Sequence, residues 1–317
     1  MAEKSISDTV DFFFKAQGAT TRTCCEPSEA CEQPAIRAHS LPRRAVLDRL
    51  SSDGHVVMPQ MSLKITGPSQ ISFRRIGINK ATTFAGLCSR HDNEIFRPID
   101  DNLPDTDNLM HLFLLAYRAV LREFHVVVQN AVRFQATYQK GVELGRFPKD
   151  TPCDFGKFAA SHIVNAYEYY EYKRQFDTLY LTHSWDSLVH ETLFLDNQAP
   201  TIAVSSSFSL DAVPVRNTPR ISLSIYPNDV GVSLVFSSTR QDAPHMHRHL
   251  QRLVSAGSHY QRYLISKLVL QSCDNFVISA EYFDGLSTDR RDALCQFYTD
   301  TILTNDELHE NQLLYLF

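Results

Sequence analysis

The chain has 317 residues, 43% hydrophobic and 21% charged, the profile of an ordinary globular protein with room for two domains. Its net charge of −5 gives no hint of nucleic acid by itself. Its 11 glycines form no Walker loop, Gly-x-Ser-x-Gly elbow or Gly-x-Gly-x-x-Gly fingerprint, which argues against nucleotide-cradling chemistry.

No secretory leader is evident at the start, and the most apolar run, 109–134, is broken by Arg118, Arg122 and Glu123. A membrane span needs about 20 unbroken apolar residues, so the expectation is a cytoplasmic protein with no membrane partner. Charge is unevenly spread. Residues 35–97 hold ten basic and four acidic side chains, +6 within a chain of −5, leaving −11 for the remainder. Such asymmetry is either a footprint for a polyanion or a basic face packed on an acidic neighbour.

In chain order, a short helix is expected over 7–17, with Phe12, Phe13 and Phe14 on it, followed by a polar loop over 20–32. Pro42 suits the first turn of a helix running to Leu50, and Ser51 to Gly54 reads as a turn. Strands are expected at 56–58 and 71–76, and a helix over 89–96, stopped before Pro98. An acidic stretch, 101–107, with Pro104 in it, reads as a domain boundary. Asp107 or Asn108 then caps a long buried helix running to about Lys140, and a second covers 157–180. Past Trp185 the period becomes two, predicting strands at 201–208, 221–226 and 231–236, the last pair joined by a loop at 227–230. Helices are expected at 246–255, 258–272 and 287–303, with a short strand at 276–280. The fold expected is α+β: an N-terminal treble-clef-like zinc module in 1–100, then 101–317 with two long central helices and a small antiparallel sheet with helices.

Seven cysteines are an odd number, and four fall in the first 88 residues. In a reducing compartment, clustered cysteines beside a histidine favour metal over disulfides. Cys153, Cys273 and Cys295 sit in apolar surroundings and read as buried thiols. Structural zinc takes four tetrahedral sulfur or nitrogen ligands, often as two short-spaced pairs. Cys25-x5-Cys31 supplies the first pair, with Cys24 as the variant partner, and Cys88-x2-His91 the second, from a helix start.

Within 24–100 this order resembles the HNH-type treble-clef family. His39-Ser40-Leu41-Pro42 is similar to its His-hydrophobic-hydrophobic-Pro segment, and Cys88-Ser-Arg-His91-Asp92-Asn93-Glu94-Ile95 to its closing Cys-x-x-Cys-Asn-Asn-x-Ile element. The resemblance covers about a quarter of the chain. It implies that His39 is a general base on water attacking a phosphodiester, with Mg or another divalent ion stabilising the leaving oxygen. Asn93 or Asp92 would be the ligand or orienting group, and Arg37, Arg43 and Arg44 would hold phosphates, with Arg74 and Arg75 adding to the basic surface. Where the family has an acidic residue or histidine before the base, this chain has Ala38.

Two expectations of function follow: an HNH-like protein that engages and cleaves nucleic acid, for instance in bacterial defence, or a non-enzymatic zinc-stapled sensor or scaffold for a protein, a second copy of itself or a small-molecule signal. A third uses the histidines of 245–249 as a hydrolase metal site; the bland reading there is a solvated helix start after Pro244. Tyr167, Tyr169, Tyr170 and Tyr172 could stack on bases or, as crowded helix tyrosines commonly do, divide between core and solvent.

Overall fold

The computed structural model describes residues 22–62, 70–196, 199–210, 218–229, 231–303 and 314–317; the helix expected over 7–17 and the link between the first strands lie outside them. A two-residue strand, β1 (Ala38–His39), leads to Pro42. From there the chain makes a wide turn, Arg43–Leu47, in which the Leu47 N–H reaches the Pro42 carbonyl at 3.1 Å, and continues as a single α-turn, Asp48–Leu50. Its buried Ala45, Val46, Leu47 and Leu50 are the stripe expected from sequence. Asp53 and Gly54 both take positive φ, 51° and 70°, the pattern of a two-residue turn between Ser52 and His55. The hairpin of β2 (His55–Ser62) and β3 (Gln70–Gly77) follows. β4 (Thr83–Phe84) returns to pair antiparallel with β1, and α1 (Ser89–Asp100) begins at Cys88.

Asn108 caps the next helix, α2 (Leu109–Glu143), accepting from the N–H groups of Met110 and His111 at 3.0 and 3.3 Å. It packs along α3 (Asp154–Leu181), and the pair is cross-linked in the core by Tyr117 Oη donating to Asp177 at 2.6 Å, a carboxylate that also accepts from Lys173 Nζ one turn earlier on α3 at 2.7 Å. Four strands follow: β5 (Leu188–Asp196), β6 (Ile202–Ser209), β7 (Arg220–Pro227) and β8 (Gly231–Thr239). The chain closes with α4 (Ala243–Val254), α5 (Ser258–Ser272), β9 (Phe276–Ile278), α6 (Ala280–Gly285) and α7 (Thr288–Leu303).

Seven strands form one antiparallel sheet in the order β3-β2-β9-β6-β7-β8-β5. The pleat sends alternate side chains to opposite faces, and here both faces are buried. Ile202, Val204, Ile221, Leu223, Val232 and Leu234 meet α4 to α7 on one side. On the other, the intervening positions are mostly small, among them Ala203, Ser205, Ser207, Ser222, Ser224 and Ser237, all buried. Those short side chains let α2 lie across β6, β7 and β8, its Leu112–Leu121 stretch sharing a core with Ala203, Tyr226 and Val235. Among the described residues, no helix is long and apolar enough to cross a membrane.

Three expectations are corrected. The 101–107 stretch is not a boundary between separate bodies: Val57 of β2 pairs with Ile278 of β9, and Val56 shares the core of α2, so the N-terminal segment completes the large sheet. The sheet is therefore not a small C-terminal one. β5 went unseen because it is an edge strand whose exposures do not alternate cleanly, with Phe194 left exposed. Helix α1 runs through Pro98: the lost N–H falls near the helix end, where burial of Phe96 and Ile99 and the Arg118–Asp100 pair hold the turn.

Candidate metal centre

Cys24, Cys31, Cys88 and His91 bring their ligand atoms within 4.8 Å of one another, and no other group of three or more His, Cys, Asp or Glu does so among the described residues. Cys31 and Cys88 Sγ are 3.9 Å apart; His91 Nδ1 lies 3.4 Å from Cys24 Sγ and 3.5 Å from Cys88 Sγ. A tetrahedral zinc with bonds of about 2.3 Å to sulfur and about 2.0 Å to nitrogen has edges of roughly 3.8 Å between sulfurs and roughly 3.5 Å from sulfur to nitrogen. Those three separations are thus close to the edges of a zinc coordination shell, and S₃N is a donor set zinc accepts.

The first pair is Cys24 with Cys31, not Cys25 with Cys31. Cys25 N–H donates to the Gly86 carbonyl at 2.8 Å, which fastens this extended stretch beside the β4–α1 junction. Adjacent side chains on extended backbone point apart, so only one of the two thiols can enter the cluster. Cys24 Sγ does, and there accepts the Cys88 N–H at 3.2 Å. Cys25 turns away, close enough to Lys173 and Asp177 of α3 to feel their charges.

Glu26 shapes the loop between the ligands. Its buried carboxylate accepts the N–H groups of Ser28, Ala30 and Cys31 at 2.7, 2.6 and 3.1 Å, and the Ser28 hydroxyl as well. Burial works against its ionisation, but the Ser28 and Ala30 hydrogen bonds outweigh it and hold the carboxyl below its usual range. The loop is tied back further by Ile36 N–H to the Leu87 carbonyl at 2.8 Å.

The thiols are unequal. Burial pushes Cys24 up to about 12. Cys88, also buried, is brought below its ordinary value by the N–H groups of His91 and Arg90 at the helix start and by the sulfurs of Cys24 and Cys31. Cys88 is therefore readier than Cys24 to be a thiolate, and a metal taking the site would displace the remaining thiol protons. His91 Nε2 contacts the Arg90 guanidinium at 2.7 Å, which needs Nε2 as acceptor. A metal held by Nδ1 would leave the ring proton on Nε2, which could then no longer accept from Arg90.

His39, half-buried on β1, contacts the Ala81 carbonyl through Nδ1 at 2.9 Å. Burial, with help from Arg43 and Arg118, lowers its pKa, so the ring is neutral at pH 7 and Nε2 keeps its lone pair. Asp92 sits in the field of the same Arg118–Asp100 pair; burial raises its carboxyl while Arg118 pulls it down. Asn93, one residue on, faces solvent. Of the two candidate helix-start groups, α1 therefore turns Asp92 rather than Asn93 towards Arg118. His39 and Asp92 do not close a three-ligand group for a hard cation.

The basic residues are divided. Arg37, Arg43 and Arg44 are exposed around β1 and the turn after it, Arg43 3.8 Å from Asp48. Arg74 is exposed, its Nε on the Ser72 hydroxyl at 3.0 Å. Arg75 leaves the set, because alternation along β3 sends it to the opposite face, where it pairs with Asp284 of α6. The histidines of 245–249 form no metal group; His247 Nε2 lies 3.0 Å from Glu191 Oε1, across on β5. Tyr169 and Tyr172 are buried and Tyr167 is exposed, the division expected of a structural role. Sequence reasoning missed Glu26, whose only signal is a carboxylate just ahead of a loop that needs N–H acceptors. It also missed Asp100 and Arg118, bidentate at 2.7 Å for both bonds. Compared with protein-family models, curated proteins and solved structures, the chain matches none.

Proposed function

We propose that Cys24, Cys31, Cys88 and His91 hold a structural zinc ion, and that this zinc fixes an HNH-like unit of β1, β4 and α1 which engages nucleic acid and cleaves its phosphodiesters. The observation that carries the reading is the ligand spacing, which matches a tetrahedral zinc. With Nδ1 donating to the Ala81 carbonyl, His39 offers Nε2 to take a proton from water, while Arg37, Arg43 and Arg44 provide phosphate contacts beside it. A hard divalent ion, brought together with the substrate phosphate, would take Asp92 as its protein ligand and would stabilise charge on the leaving oxygen. Three thiols in one zinc site suit a reducing compartment, which favours the cytoplasm.

Two measurements test this. Purified protein should hold about one zinc per chain; Cys24→Ser, Cys31→Ser and Cys88→Ser should lose it while Cys25→Ser keeps it. The zinc-loaded protein should then cut plasmid, single-stranded DNA or RNA in Mg or Mn, and His39→Ala should abolish cutting. Cleavage that survives in His39→Ala removes the catalytic assignment; a metal-free wild type removes the centre itself.

A further inference from the structure

The outward face of α3 is patterned unlike an ordinary solvated surface. Ala159, Tyr169, Tyr172 and Phe176 turn inward and are buried. On the other side Lys157, Ala160, Val164, Tyr167, Glu171 and Arg174 recur at alternating steps of three and four residues, and all six are exposed. That spacing sets them in one stripe along the helix. The middle of the stripe is apolar. Val164 and Tyr167, at 58 and 63%, are the two most exposed large apolar side chains of the described residues, and Ile163 at 44% flanks them. An open cleft of about 700 Å³ separates this side of α3 from the ends of β7 and β8, so the sheet does not crowd it.

Single exposed apolar side chains need no explanation, whereas a row of them marks a contact surface. The charges at its ends say what makes the contact. Asp154 and Lys157 lie at one end, 3.1 Å apart, and Glu171 and Arg174 at the other, 3.8 Å apart. Two acids balance two bases, which leaves no surplus positive charge for a polyanion. The four are instead symmetric in position and opposite in sign about Val164: Lys157 and Glu171 stand seven residues to either side of it, Asp154 and Arg174 ten. Two copies of α3 packed antiparallel about a twofold axis at Val164 therefore set Lys157 against Glu171 and Asp154 against Arg174, at both ends. A parallel, in-register pair would set every charge against its like.

We propose that this face of α3 joins two copies of the chain in an antiparallel, twofold-symmetric dimer. Val164 and Tyr167 of both copies form its centre, and the four charge couples close its ends. At the shallow crossing of roughly 20° that helix ridges favour, the long side chains of each couple stay within reach of one another. From Asp154 to Arg174 the stripe is about 30 Å long and about 10 Å wide, so the two faces together bury roughly 1,200 Å² of accessible surface. That area is at the lower limit of stable interfaces and fits a dimer of micromolar Kd. No metal ligand and none of the residues of the nuclease reading lies on this face, so either can fail without the other.

Sedimentation velocity on the zinc-loaded full chain, from about 1 to about 200 µM, should show a monomer–dimer equilibrium with a Kd in that range. Val164→Glu brings two like charges together on the axis and should weaken the dimer at least about tenfold. The position is exposed, so the Tm of this variant should stay that of wild type. Lys157→Glu and Glu171→Lys each set like charges at both ends and should each remain monomeric where wild type is dimeric. Mixed in equal amounts, these two variants should dimerise again, because every couple of the mixed dimer is of opposite sign. Association through another surface gives no such rescue. The proposal is overturned if wild type stays monomeric throughout, if Val164→Glu or either charge variant alone dimerises as wild type does, or if the mixture stays monomeric.

Discussion

Replacing Glu26 by Ala tests whether zinc affinity depends on a residue that touches no metal. The carboxylate accepts three backbone N–H groups, those of Ser28, Ala30 and Cys31, and the last belongs to a ligand. Hydrogen bonds to a charged group contribute about 1.5–3 kcal/mol each when the group stays dry. Ser28 and Ala30 are exposed, so water can replace much of what they lose. The Cys31 contact is the one whose loss should be felt in full, because it frees the thiolate's own backbone. An overall cost of about 1.4–2.8 kcal/mol follows, which is roughly 10–100-fold in zinc affinity and in the range of outer-shell losses at other metal sites. Competition against a chromophoric chelator at pH 7 measures it directly. The pH dependence adds a second reading. The folded carboxyl is held below its ordinary value of 4.5, so its stabilisation is complete above that value and fades as pH falls through the lower folded value. Glu26→Ala should therefore flatten acid unfolding in that window alone. Unchanged zinc affinity in this variant would refute the idea that Glu26 sets the loop.

Asp100→Ala strands Arg118, which is 2% exposed, while Asp100 itself is 36% exposed. Breaking a buried pair costs about 3–5 kcal/mol, and solvent access at the Asp100 end reduces this to roughly 2. Thermal denaturation should show a Tm lower by about 3 °C, and Arg118→Met, which removes the buried charge as well, should cost less; the reverse order would overturn the assignment. At Gly231 a Cβ would collide with the Leu195 carbonyl oxygen of β5. Because backbone cannot yield as a flexible side chain does, Gly231→Ala should destabilise by about 1–3 kcal/mol in denaturant titrations, and a neutral result would mean that β5 sits further from β8.

Legibility from sequence followed how local each determinant is. The caps and long periods of α2 and α3 are written in contiguous residues, as are the alternations of β6, β7 and β8, and those elements fall near their expected places. Cys88-x2-His91 was equally readable, since one helical turn brings both side chains to one side. The choice between Cys24 and Cys25 was not, because it depends on which backbone N–H meets Gly86, 61 positions away. The partition into two bodies failed for a related reason: pairing of Val57 with Ile278 is invisible to any pattern within either segment. Asp92 and Asn93 were indistinguishable until the angle of α1 against Arg118 was known.

The position of His39 gives the metal a consequence beyond its own loop. On the N-terminal side, residues 22–37 are tied down by the packing of Cys24 and Cys31, by backbone bonds to Gly86 and Leu87 and by Glu29 accepting from Tyr170 Oη at 3.2 Å. From Leu41 onward the chain is locked, with Leu41, Val46, Leu47 and Leu50 buried against the α2 core. Ser40 is also pinned, accepting from Asn275 Nδ2 at 2.7 Å while Asn275 donates to the Ser205 carbonyl. His39 lies at the seam between these regions. Structural zinc contributes on the order of 10 kcal/mol in small modules, ample to order a segment of this length. The sheet and its two cores are built from apolar contacts that need no metal. Chelation should therefore raise hydrogen exchange and tryptic cleavage at Arg22 and Arg37 and abolish any His39-dependent activity, with the amides of β6 to β8 still protected. If the whole chain exchanges together on zinc removal, the seam is not where the local unfolding stops, and the metal would have to be regarded as part of the main core.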